Sequence, residues 1–111
     1  MRFCQDLYVS SCVVATEAIL KNRLDAALSG IYNRSGKTQK LVGLMLRCAN
    51  VGYLVIRKNG QTVLTADLAT LNAATFIADL DIDLADGDNL TFGVMSSSGT
   101  SAVTVTAFIE Q

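Results

Sequence analysis

At 111 residues, half of them apolar, the chain has the length of one domain and enough apolar side chain to bury a core without metal or disulfide staples. It contains no histidine and no tryptophan, which removes Ser-His-Asp and Cys-His nucleophile systems and His-ligated metal sites. The net charge of −1 conceals a split: residues 1–58 hold all nine Lys and Arg against three acids, and residues 59–111 hold seven acids and no base.

The first residues, with Gln5 and Asp6 where an uninterrupted apolar stretch would have to run, do not read as a signal peptide. Residues 7–14 alternate as a first strand, with Leu7, Val9 and Val13 on one side. Residues 16–29 admit two readings. Ile19, Leu20, Leu24 and Leu28 followed by Gly30 fit a short helix closed by glycine, whereas Asn22, Arg23 and Asp25 fit the turn of a strand–turn–strand. A short strand at Ile31-Tyr32 then turns through Ser35-Gly36-Lys37. Residues 41–48 form a buried strand in which Gly43 marks a bulge or a close backbone approach.

The organising stretch follows. Residues 53–58 and 61–64 flank Asn59-Gly60, a pair that accepts positive φ at both central turn positions and so predicts a two-residue hairpin. Residues 65–75 are a connection of small residues. In residues 76–84, Phe76, Ala78, Leu80, Ile82 and Leu84 alternate with Ile77, Asp79, Asp81 and Asp83, which predicts one strand with a buried and a wet face. Asp86-Gly87-Asp88-Asn89 is a tight turn, 90–95 a strand, 96–101 a Ser/Gly loop and 102–109 the last strand. Eight or nine short strands at this spacing predict an all-β, single-domain antiparallel sandwich or barrel, with residues 1–27 an N-terminal strand plus the ambiguous segment, available for partner contact.

Little in the sequence announces chemistry. Three scattered cysteines, Cys4, Cys12 and Cys48, lack the paired spacing of a zinc site and read as reduced, partly buried thiols, or else as one disulfide and a spare. No phosphate-cradling glycine motif appears, and no apolar run nears the roughly 20 residues that span a bilayer. Paired carboxylates keep a glycosidase formally open, but without Trp there is little sugar platform. The expectation is no enzyme, no cofactor, no membrane and, with dispersed bases and no aromatic ladder, no nucleic acid. The constellation to weigh is Asp79, Asp81, Asp83, Asp86 and Asp88. It reads as a solvated face that keeps the sheet edge from pairing, as a contact for a basic partner, or as a calcium site, although Leu84 and Leu90 occupy the places an EF-hand reserves for Gly and an acid. The charge split reads as basic strands lying beside acidic ones, or as matching between subunits.

The run Gly30-Ile31-Tyr32, Ser35-Gly36-Lys37, the apolar 41–46 strand leading to Asn50, Asn59-Gly60, and Leu84-Ala85-Asp86-Gly87-Asp88-Asn89-Leu90 into a Val/Thr strand pair resembles small jelly-roll-like structural proteins of tailed bacteriophages, both decoration (cement) and tail-associated. The resemblance covers about residues 28–109. It departs where those proteins often read I-Y-T-V-P-A-G-K and this chain has no proline, and where they carry A-G-D in place of Asp86-Gly87-Asp88. It implies a jelly-roll-like fold and a virion protein made in a bacterial host's cytoplasm. It further implies a homo-oligomer, a trimer being one candidate, that binds other virion proteins such as the major capsid protein. A capsid decoration role leads, with a tail, baseplate or fibre component that binds a receptor or carbohydrate as the alternative.

Overall fold

The computed structural model describes residues 2–12, 16–23, 28–48, 51–67, 73–96 and 101–111. Among them there is no helix. Eleven strands run β1 (Arg2–Cys12), β2 (Ala18–Ile19), β3 (Lys21–Asn22), β4 (Ile31–Tyr32), β5 (Gln39–Cys48), β6 (Val51–Lys58), β7 (Gln61–Asp67), β8 (Ala73–Ile77), β9 (Ile82–Leu84), β10 (Asn89–Ser96) and β11 (Ser101–Glu110). The excess over the expected eight or nine lies in pieces of two or three residues.

One sheet has the order β3-β1-β11-β5-β8, with β9 further along β5; the other has β2-β10-β6-β7, with β4 further along β10. Every pairing is antiparallel. When β2 with β4, and β8 with β9, are each taken as one interrupted strand and β3 as an appendage, the strand orders become 1-8-3-6 and 2-7-4-5. That interleaving of two Greek keys is a jelly-roll-like sandwich. Residues 16–29, read as helix or strand–turn–strand, supply a short bridge to each sheet among their described residues, and Leu20 is fully buried between the two.

One apolar cluster fills the space between the sheets, running from Leu7 through Leu44, Leu54, Ile56, Leu90 and Phe92 to Val105 and Ile109. Alternation in β10 and β11 delivers these side chains inward while Thr91, Thr104 and Thr106 remain partly exposed on the other face. The Asn59-Gly60 turn forms as expected, with φ of 52° and 83°, the handedness that follows the twist of β6 and β7.

The alternation expected across residues 76–84 does not hold as one strand. Ile77 lies opposite Leu44 and Ile82 opposite Leu41, so residues 78–81 of this edge face only Val42 and Gly43 of β5. Asp79 takes a left-handed φ of 59° within that stretch, and the Leu80 amide donates to the Val42 carbonyl at 3.0 Å. The expected phase holds beyond the break, where Leu80, Ile82 and Leu84 turn to the core, and inverts before it: Ile77 packs inward and Phe76 is 55% exposed. The cause is across the sheet. Gly43 carries the expected bulge, seen as a register shift between Phe108↔Gly43 and Ile109↔Leu41. A Cβ at Gly43 would come within 3.1 Å of the Ile77 carbonyl oxygen, so glycine lets the edge strand approach closely where the bulge on β5 takes the pairing out of register.

At one end of the sandwich a buried asparagine holds the connections. The Asn33 side-chain amide donates to the carbonyls of Lys37 and Leu84, both at 2.8 Å, and its oxygen accepts from the Ser35 amide at 3.0 Å and hydroxyl at 2.7 Å. Its backbone N–H donates to Asp88 and its carbonyl accepts from Gly87. The 33–37 loop and the 84–88 turn are thereby one hydrogen-bonded unit.

Candidate functional site

The five acidic positions separate into three environments. Asp86 and Asp88 belong to the turn: the Gly36 amide donates to Asp86 at 2.9 Å, and Asp88 accepts from the Asn59 side-chain amide at 2.9 Å and the Ala85 N–H at 2.8 Å. Those bonds, first the one from Asn59, hold the Asp88 carboxyl below its ordinary pKa. Asp81 and Asp83 stand on the sheet edge around Lys40, at 2.8 and 3.8 Å. The hydrogen bond and charge of Asp81, then the charge of Asp83, push the Lys40 ammonium pKa up. Asp79 sits at the backbone break, so the expected single row of Asp79, Asp81 and Asp83 does not exist. Among the described residues no three acidic or thiol side chains converge as a metal site would require.

The opposed charge halves meet in part within the fold. Arg2 pairs with Glu110 at 2.7 Å and Lys40 with Asp81, each bridging basic and acidic halves. Arg57 instead takes Glu17 of its own half in a two-pronged bridge of 2.7 and 2.9 Å. That pair lies over the outer face of the β10–β6 sheet, where a Cβ on Gly93 would strike Glu17. Arg23 rests over the Tyr8 ring at 5.5 Å and Arg34 over Tyr32 at 4.6 Å.

The surface that stands out is the outer face of the other sheet. With Phe76 turned outward by the break, its ring meets Phe108 at 5.8 Å between centroids, the two leaning together above Gly43, which has no side chain to separate them. Arg2, Val42, Ala78 and Asp79 complete an open hollow of about 590 Å³. Cys4, opposite Phe108, is an exposed free thiol and not the partly buried one expected; the side chains of Cys12 and Cys48 lie outside the described residues. Sequence reasoning placed Phe76 in the core. The signal that could have corrected it was Gly43 taken together with Asp79, a residue type that tolerates left-handed backbone.

These features define a jelly-roll-like β-sandwich with a broad apolar and charged face. No protein-family model matches the chain, and neither does any curated protein. Among solved structures, a chain of the "Cyanophage Pam1 capsid asymmetric unit" shares the fold with a TM-score of 0.57, over 98% of this chain and 84% of that one, at 12% sequence identity.

Proposed function

We propose that this chain is a structural protein of a bacteriophage virion and, more specifically, a decoration protein that clamps neighbouring capsid subunits. The observation that carries the reading is the shared fold, over 98% of this chain, with a chain of a cyanophage capsid asymmetric unit. The surface agrees in kind. A protein whose work is contact needs a stable core and a broad face, and here a Phe pair and unevenly spread charge lie on one sheet (Arg47 and Lys21 toward one end, Asp81 and Asp83 toward the other). No enzymatic step or cofactor enters this reading, and synthesis takes place in the host cytoplasm.

The mechanism is linkage. A protein that binds only the assembled shell stabilises it by RT ln(1 + [L]/Kd) per site, about 2.7 kcal/mol at a free concentration a hundredfold above Kd. The test is to locate the protein in purified particles by electron microscopy and to compare the thermal opening of shells with and without it. Decorated shells are expected to open at higher temperature, with docking that weakens between about 50 and 500 mM salt as surface charges are screened. Absence from the particle surface, or shells indifferent to the protein, would remove the decoration role.

A further inference from the structure

We infer that the outer face of the sheet containing β1, β11 and β5 is where a second copy of this chain docks, face to face across a two-fold axis. The inference deepens the reading of a virion contact protein by naming the surface and its occupant.

Three observations select this face and this partner. Its apolar centre is solvent-facing: Phe76 is 55% exposed and leans on Phe108, whereas on the opposite sheet the Glu17–Arg57 bridge lies across Gly93. Its charges are arranged in opposite corners. Tyr8 pairs in register with Lys21 on β3 and with Thr104, which pairs with Arg47; Arg23 lies over the Tyr8 ring. Lys21, Arg23 and Arg47 make no ion pair among the described residues, and the exposed Asp6 beside them, which accepts from the Thr106 hydroxyl at 2.7 Å, leaves this end net positive. Six residues along β11, at Glu110, the row reads Arg2, Glu110, Lys40 and Asp83, and the corner beyond it, with Asp81 and Asp83, is acidic around a single lysine.

The third observation is dimension. Five strands at ~4.8 Å make the face roughly 19 Å wide, and the six residues from Thr104 to Glu110 at ~3.4 Å separate the charged rows by roughly 20 Å. The patch is close to square. A two-fold axis in the plane of contact, along the diagonal that passes Met45 and Phe108, therefore lays the basic corner of each copy on the acidic corner of the other. The same operation sets Phe76 of one copy over Arg47 of the other and brings the two Met45 side chains together. Crossed in this way the two faces share only that square, roughly 400 Å² in projection, about half of the ~800 Å² per partner that stable pairs bury, so the pair is weak and concentration-dependent. The two sheets cross near a right angle, one of the two ways sheets stack.

The test is sedimentation equilibrium on the full chain, with far-UV circular dichroism confirming that each variant stays folded. A dimer is expected. Phe76→Ser should weaken it at least tenfold, and Val63→Ser, at a 41% exposed position on the other sheet's edge, should leave it unchanged. The charge exchange is the sharper arm. Lys21→Glu with Arg23→Glu in one chain, and Asp81→Lys with Asp83→Lys in another, should each abolish pairing alone and restore it when the two are mixed. A monomer at every concentration, association indifferent to Phe76→Ser, or no recovery on mixing would overturn the inference. A monomer that still decorated particles would sink the pairing and leave the virion reading standing; a dimer absent from particles would do the reverse.

Discussion

Replacing Asn33 by Asp changes one NH₂ into an oxygen and little else in shape, which makes it a direct test of the hub. Asn33 is 1% exposed, and its amide nitrogen sits 2.8 Å from both the Lys37 and Leu84 carbonyl oxygens. A carboxylate in the same place would set acceptor against acceptor at both contacts. The Leu84 carbonyl loses its side-chain donor at a cost of about 1–3 kcal/mol, the Lys37 carbonyl keeps the Ser35 hydroxyl at 3.0 Å, and burying the new carboxylate adds to the loss, so Asn33→Asp should lose about 2–5 kcal/mol at pH 7. That is a large share of the roughly 5–15 kcal/mol that holds a domain folded. The deficit should also depend on pH. Burial and two facing oxygens raise the new carboxyl's folded pKa above its unfolded value, so the protonated form can donate and the penalty is least below about pH 4. It grows as pH rises through the interval between the two pKa values. Urea denaturation of both proteins, followed by circular dichroism from pH 3.5 to 7, measures the difference directly. A deficit under about 1 kcal/mol at pH 7, or one that did not change with pH, would show that Asn33 is not the tie between the 33–37 loop and the 84–88 turn.

What the sequence disclosed, and what it concealed, follows from the range over which each feature is decided. The Asn59-Gly60 hairpin and the 86–89 turn are decided by two to four adjacent residues, and both form where the residue types required. Gly43 likewise announced its bulge. The break at 78–81 is invisible in its own segment, because the alternation from Phe76 to Leu84 is unbroken as a pattern; it is imposed by the bulge on the neighbouring strand. Residues 16–29 stayed ambiguous for a similar reason, since Leu20 is buried by lying between two sheets and not by a local period. Asn33 reads as an ordinary turn residue until the chain brings Leu84 to it, 51 residues on. The five acids were legible as a cluster in sequence. Their separation into turn braces, an edge pair and a backbone hinge was not.

Two glycines separate close approach from mere backbone freedom. Gly30 has a φ of 94° and a Cβ there would overlap the Leu90 carbonyl oxygen, so Gly30→Ala should cost about 2–5 kcal/mol. Gly36→Ala, at a φ of 77° but with open space around it, should cost only about 1 kcal/mol; equal losses in urea titrations would refute the close approach of β4 to β10. For Asp88, a pKa held below its ordinary 3.8 means a stabilising contribution present above that value and lost as pH falls through the folded one. Asp88→Asn should accordingly flatten the acid limb of the stability–pH curve below about pH 4, and an unchanged limb would remove that contribution. The last outcome concerns Asp79, whose φ of 59° marks the step that turns Phe76 outward. Were residues 76–84 one continuous strand, β-propensity would rank the residue there Val over Asp over Gly, across a span of ~1 kcal/mol. At a left-handed step the order reverses. Asp79→Val should lose about 1–2 kcal/mol, since a branched side chain meets the backbone in that conformation. Asp79→Gly should stay within about 0.5 kcal/mol of the parent, relief of the positive φ offsetting the looser unfolded chain. Thermal and urea unfolding of the two variants give the ranking, and a valine protein as stable as the parent would show that the left-handed step at residue 79 is not what the break at 78–81 depends on.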